Sequence, residues 1–416
     1  MCRIFPAAIA AMFGVAVVAR PALAWAVTCD ALPNLEHSAT APPVVYVEGS
    51  GAARALLGPL QAALSVDAKP MYLVFVGDGG CLGAGNFIAT QPMSRKVKPV
   101  YYTGQVQATC DLPATVGAAN LAVSDAYAAT CGLDLPTDVA DLPGPIQPML
   151  FVVPKASTQR SISAAGAYFV FGFGAASGVS PWDNSGSIYR LDASSATQAL
   201  LAAAIRVPSR QWQGVDAGSL PASAMAGIAG ADAVVNALAT DAAPEHAIGI
   251  LAGGDFGSTA ADRIAVLAYK ERGQSCGYFP DSTATAHDRA NVRDGHYPLW
   301  GPLHFFARVD TSGVPLDANV ARVLSYITGA AAPPGGVDPV GVDAASGLVP
   351  SCAMHVARVG EMGSLMSFAP QGSCGCYFDY VSTGQSSCVK CAKRADCPAT
   401  APVCNLSNPV GYCETQ

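Results

Sequence analysis

Two apolar segments, each running straight into a glycine-rich loop, constrain this chain more than any other feature. Val44-Val45-Tyr46-Val47 leads into Glu48-Gly49-Ser50-Gly51, and Met71 to Val76 leads into Gly77-Asp78-Gly79-Gly80-Cys81-Leu82-Gly83-Ala84-Gly85. Short apolar runs bounded by glycine read as buried strands. After the first loop, Ala53, Leu56, Leu57, Leu60 and Leu64 keep helical spacing, although Gly58-Pro59 predicts a kink or a late start. Two strand–loop–helix units in succession predict an α/β sheet whose binding loops lie at strand ends.

The same alternation continues downstream. Strands are expected at Asn120 to Val123, at Met149 to Val153 after a proline-rich approach (Pro143, Pro145, Pro148), at Ile188 to Leu191, Ala247 to Leu251, Ile264 to Tyr269 and Pro302 to Val309. Ser163 and Asp317 are placed to cap helices reaching Phe171 and Ile327, and Ala231 to Leu238 is helical. Gly329 to Val342 reads as a loop, and Cys352 to Val359 as a short helix. From Gly372 onward the sequence turns polar and cysteine-dense, so a boundary is placed near 370.

The N-terminus has the form of an export signal. Arg3 precedes the apolar stretch Ile4 to Ala19, and Ala22-Leu23-Ala24 is a small-x-small cleavage site, with Ala24-Trp25-Ala26 equally usable. Ala26-Val27-Thr28 before Cys29 lacks a lipobox pattern. Without residues 1–26 the chain keeps 21 basic against 30 acidic residues, a balance that argues against nucleic acid and anionic membranes. Thirteen cysteines remain, and in an exported chain they read first as disulfides with one thiol left over. The Cys388-x-x-Cys391 pair keeps zinc open as the lesser alternative, because no second matching pair follows. The pairing is not readable from the spacing.

One further run has the character of an anion trap. Arg190, Asp192, Ser194 and Ser195 directly precede an Ala/Leu-rich helical pattern at Ala196–Ala204. A guanidinium offers charge and forked donors, while hydroxyls cap a helix whose first N–H groups point outward. The same residues also fit an ordinary capped helix after a strand.

Four loops together resemble the phosphate-binding proteins of bacterial ABC importers, a branch of the class II periplasmic solute-binding fold. They are Glu48-Gly49-Ser50-Gly51-Ala52, the 77–85 turn, Leu121-Ala122-Val123-Ser124-Asp125-Ala126, and Arg190-x-Asp192-x-Ser194-Ser195-Ala196. Tyr297-Pro298-Leu299 and Pro302-Leu303 are similar to the segment in which that family's chain returns to its first lobe. The chain departs from the family pattern at Ser195, where the family has Gly, and at Ala196, where it has Thr.

The resemblance implies an α/β, two-lobed, class II periplasmic-binding-protein-like fold over 27–370. Lobe 1 would span about 40–150 and 265–350, lobe 2 about 151–264, and a disulfide-rich module 371–416. It implies that Ser50 and the amides of Gly51 and Ala52 hold ligand oxygens, with further donors near Gly80 and Cys81. Asp125 would accept a ligand proton, Arg190 would pair with the anion, Asp192 would orient Arg190, and Ser194, Ser195 and Ala196 would complete the cage. A carboxylate in such a cage repels sulfate but shares a proton with phosphate, which gives specificity by built-in repulsion.

The expected function is capture of a small oxyanion, foremost inorganic phosphate, by a periplasmic or secreted protein. An ABC permease is the implied partner, and the tail would meet a surface partner of unknown identity. No catalytic residue, cofactor or metal is implied. The alternatives are a sensing or adhesion protein of the same fold with another ligand or none, and a secreted hydrolase. The six histidines show no pair at metal spacing, and no Gly-x-Ser-x-Gly elbow is present. Asp255, in Gly253-Gly254-Asp255-Phe256-Gly257, looks like a kinase motif without its companions.

Overall fold

The computed structural model describes residues 27–32, 42–65, 67–103, 106–221, 230–256 and 258–415. The expected export segment 1–26 lies outside them. Eleven strands form one mixed sheet: β1 (Val44–Gly49), β2 (Tyr72–Val76), β3 (Val100–Thr103), β4 (Val106–Thr109), β5 (Leu121–Ser124), β6 (Val139–Pro154), β7 (Ile188–Arg190), β8 (Val215–Asp216), β9 (Ile248–Ala252), β10 (Ile264–Val266) and β11 (Trp300–Arg308). Their spatial order is β4-β3-β2-β1-β5-β11-β6-β9-β7-β8, with β10 also on β6.

Two parallel groups flank the middle of this order, and the antiparallel pair β3-β4 extends one of them. β1 pairs in parallel with β2 and β5, and β7 pairs in parallel with β9 and β8. Between them β6 and β11 run antiparallel to each other. β6 is the crossing element: its first part lies on β11 and its last part on β9 and β10. At about 3.3 Å per residue, its 16 residues are long enough to belong to both lobes. The result is a two-lobed α/β fold, as expected from the sequence.

The proline-rich approach to β6 is strand rather than loop. The pairing shifts register between Pro302 and His304, and such an irregularity accommodates residues that cannot donate to a ladder. Likewise Pro59 does not stop the first helix. A short turn at Gly51–Ala53 leads into α1 (Arg54–Ser65), which continues through Pro59, with Gly58 tight against the Tyr102 ring.

The glycine-rich segment is also mostly helix. α2 spans Gly80–Ile88, leaving only Gly77–Gly79 as turn. The glycines serve close approach: a Cβ at Gly83 would lie 2.6 Å from the Gly49 Cα.

Lobe 1 buries Val45, Val47, Leu73, Phe75, Leu121 and Val123 under α1 and the helix at Ala318–Ile327. In lobe 2, α3 (Ala164–Phe173) and α4 (Ala196–Ile205) are capped by Ser163 and Ser195. Leu200, Leu201 and Ile205 of α4 are fully buried, each contributing roughly 1.5–3 kcal/mol. α5 (Gly230–Thr240) follows, then α6 (Ala318–Ile327), capped by Asp317 through the amides of Asn319 and Val320.

The C-terminal segment packs onto this body. α7 (Pro339–Ala345) replaces part of the expected 329–342 loop, and Cys352–Val359 holds a short turn and a strand where a helix is expected. Cys374, Cys376, Tyr377 and Phe378, at the start of α8 (Gly375–Thr383), join the same apolar cluster as lobe 2. Arg293 donates to the Ala353 carbonyl at 2.8 Å and to Asp379, with its guanidinium over the Phe378 ring. Apolar burial and an ion pair therefore tie the tail to the body.

Among the described residues six disulfides form: Cys29–Cys110, Cys81–Cys131, Cys352–Cys374, Cys376–Cys388, Cys391–Cys404 and Cys397–Cys413. Cys276 is the one free thiol among them. The Cys388-x-x-Cys391 pair is split between two bridges, so neither sulfur is left as a thiolate for zinc. Each short loop closed in the tail contributes about 3 kcal/mol in the chain-entropy picture. No helix among the described residues is long and apolar enough to cross a membrane.

Candidate functional site

The loops at the strand ends meet across a cleft of about 370 Å3 between the lobes. Lobe 1 supplies Ser50 and Gly51 after β1, Gly77 to Gly80 after β2, and Asp125 after β5. Lobe 2 supplies Asp192, Ser194, Ser195 and Thr197 after β7. Three helix or turn starts therefore converge, and the first amides of each have no intrahelical acceptor. Together they form a field of donors at the positive ends of the helix dipoles.

The lobes touch here. A Cβ at Gly80 would lie 2.7 Å from the Ala196 Cβ and 3.0 Å from the Ser124 Cα. A Cβ at Gly79, whose φ is +123°, would lie 3.5 Å from the Ser194 carbonyl. Glycine at both positions lets α2 start in the seam between lobes.

Asp125 is almost fully buried, and both its oxygens are held. Gln147 of β6 donates Nε2 to Oδ1 at 2.6 Å, and the Thr197 hydroxyl of α4 donates to Oδ2. The Thr197 bond crosses from lobe 2 to lobe 1. Each carboxylate oxygen retains a second lone pair, so Asp125 can still accept a proton from a ligand.

The hydroxyls divide into two kinds. Ser50 Oγ accepts from the Ala52 amide at 3.3 Å, and Ser195 Oγ from the Gln198 amide at 3.4 Å, which leaves both O–H groups able to donate. The Ser194 hydroxyl instead donates to Asp192, whose Oδ1 also accepts the Ser194 amide at 2.8 Å. Burial pushes the Asp192 carboxyl up, but these two bonds from Ser194 prevail and hold it below its ordinary value.

Four of the residues named from the sequence do not line the cleft: Ala52, Cys81, Arg190 and Ala196. Cys81 is bridged to Cys131 and faces a neighbouring cavity. Ala52 and Ala196 are buried behind the loops. Arg190 stops short of the cleft surface: its Nη1 donates to the Leu191 carbonyl and lies 4.0 Å from Asp216, which does line the cleft. Asp192 consequently orients Ser194, not Arg190. The family's hydroxyl, missing at Ala196, is met one residue later by Thr197, which points at Asp125 rather than outward.

The basic residues that do line the cleft are Arg54 and Lys96. Lys96 acts on the charges of Asp78 in lobe 1 and Asp192 in lobe 2. Against these two stand five aspartates, Asp78, Asp125, Asp192, Asp216 and Asp255. Burial raises Asp78, partly offset by Ser94 and Lys96. Burial likewise raises Asp255 to about 7, with Arg54 pulling it back and Asp125 and Asp232 pushing it further up. Glu48, buried behind Asp78, is raised to about 7 by burial against hydrogen bonds from Ser94 and Asn86.

Sequence reasoning missed Gln147, Arg54, Lys96 and the cleft position of Asp255. Gln147 carried a signal, a lone polar residue inside an apolar run. Arg54 and Lys96 carried none.

No family profile matches the chain, and no curated protein matches it. Among solved structures it is similar to a phosphate ABC transporter substrate-binding protein with bound phosphate from Clostridium perfringens, at 11% identity and TM-score 0.46, over 74% of this chain and 99% of that one. It is also similar to an ABC-type phosphate transport receptor from Vibrio cholerae, at 11% identity and TM-score 0.42, over 68% and 93%. A reduced form of OxyR from N. meningitidis is similar too, at 11% identity and TM-score 0.36, over 68% and 93%. Likenesses of this degree say nothing about the ligand.

Proposed function

We propose that this chain is an exported solute-binding protein that captures a small oxyanion, foremost inorganic phosphate, between its lobes and delivers it to an ABC permease. The observation that carries this reading is the convergence of the Ser50, Gly80 and Ser195 helix starts on a cleft that also holds the clamped Asp125. Backbone amides neutralise an anion without adding net charge to the cleft. Asp125 then selects a ligand that brings its own proton, because a fully ionised oxyanion meets an unpaired carboxylate there. Six disulfides support an oxidising compartment.

Ligand bridging would hold the cleft closed. Ser50 and Gly51 sit on one lobe and Ser195 on the other, so one anion accepting from both draws them together. No reaction follows from these groups.

Calorimetric titration of the mature protein with phosphate and sulfate tests the reading. Saturable one-to-one phosphate binding with sulfate at least about tenfold weaker is expected. Equal affinity for the two anions overturns it. A second reading, the same fold with a different ligand, is favoured by one observation: Arg190 does not line the cleft and is set against Asp216 at its wall.

A further inference from the structure

Simple oxyanion capture leaves two cleft carboxylates without a task, Asp78 and Asp255, and only Asp255 also opens on the adjoining cavity. It ends the turn Gly253–Asp255 that follows β9. Its Oδ1 is buried and has no hydrogen-bond partner among the described residues. That oxygen looks at the first donor loop, since a Cβ at Gly51 would lie 3.6 Å from it. Arg54 stands nearby, but its guanidinium reaches Asp232 at 3.4 Å. A buried carboxylate oxygen facing a ligand cavity without a partner calls for a donor from outside.

Space and charge point the same way. A tetrahedral anion occupies roughly the volume of three waters, about 90 Å3, whereas the cleft holds about 370 Å3. Beyond Arg54 and Asp255, which line both, lies a second cavity of about 680 Å3 reaching Gly58, Tyr102 and Asp338. Five aspartates against two basic side chains also make the cleft repel a bare dianion.

We propose that the preferred occupant of this cleft is a small zwitterion, a tetrahedral phosphoryl group joined by a short carbon chain to an ammonium that binds Asp255. This rests on the oxyanion reading of the same cleft. The phosphoryl group takes the amides of Gly51, Gly80 and Thr197 and the hydroxyls of Ser50 and Ser195, and one of its oxygens shares a proton with Asp125. The ammonium donates to Asp255 Oδ1 in a charge-assisted hydrogen bond, satisfying the oxygen that the protein leaves open. Such a ligand brings little net charge into an acidic cleft, so it escapes the repulsion that a bare dianion meets.

The test is calorimetric titration of the mature protein with inorganic phosphate, ethyl phosphate, O-phosphoethanolamine and 2-aminoethylphosphonate. The wild-type comparison needs no variant: each amino compound should bind at least about tenfold more tightly than ethyl phosphate. The two amino compounds separate an ester source from a phosphonate source. In Asp255→Asn, checked for folding by its melting transition, the preference should fall to within about twofold. Ethyl phosphate matching the amino compounds in wild type, or a preference that survives in Asp255→Asn, overturns the zwitterion assignment and leaves oxyanion capture standing. If none of the four binds folded wild-type protein, both fall.

Discussion

Asp125 and Arg190 hold matching places in the two lobes, each at the end of a strand that points at the cleft, yet their surroundings treat them oppositely. Asp125 is fixed in the seam by a β6 amide and an α4 hydroxyl. Arg190 is held back from the cleft surface by Asp216 and the Leu191 carbonyl. The difference teaches that a loop's backbone and its charged side chain are separate contributions to a site. Lobe 2 still delivers amides from the start of α4, but its cation does not accompany them.

Variants can break or sharpen this contrast. Asp125→Ala has the largest expected effect, because it removes the ligand's proton partner and strands Gln147 and Thr197. Phosphate affinity should fall by roughly 3 kcal/mol or more in calorimetry. The gentler Asp125→Asn should narrow the gap between phosphate and sulfate. Thr197→Val comes next, since it frees Asp125 on one side and removes a bond between lobes. A loss of about 1.5–3 kcal/mol in phosphate binding is expected. Arg190→Ala should cost the least, no more than about 1 kcal/mol, as expected of a guanidinium that does not line the cleft and is spent on Asp216. A loss from Arg190→Ala exceeding that from Thr197→Val reverses the contrast.

The buried carboxyls add a pH signature. Glu48 and Asp255 both stand at about 7 in the folded chain, raised from ordinary values of 4.5 and 3.8. Between those limits the folded state keeps protons that the unfolded state has released. Stability therefore falls as pH rises through that window and levels off above about 7. Asp192 is shifted the other way and opposes this slope at lower pH. Melting temperature should drop between pH 5 and pH 7, and Glu48→Gln should flatten the drop. In that variant the amide oxygen can keep the bonds from Asn86 and Ser94. An unchanged slope contradicts the placement of Glu48 in a dry site.

Much of the fold was legible because it rests on periodicity and caps. The strand at Val44, the caps at Ser163, Ser195 and Asp317, and the run before α4 all follow from local residue chemistry. The misreadings share one cause, tertiary contact overriding local preference. α2 forms through glycines because Gly83 must lie on Gly49, and the prolines of β6 are carried by an irregular pairing with β11. The site was legible to the level of loops. Ser50, Gly51, Gly80, Asp125, Ser194 and Ser195 do meet at one cleft, because strand ends and helix starts fix backbone position. The direction of Arg190 was not legible, because Asp216 lies on another strand. The role of Asp255 was hidden for the same reason: its facing residue, Gly51, is far away in sequence.

The most direct test of the central claim is a crystal structure of the mature protein grown with phosphate. The account predicts one tetrahedral anion between the lobes, within hydrogen-bond reach of the Gly51, Gly80 and Thr197 amides and of Asp125. An anion bound elsewhere, with this cleft empty, contradicts it.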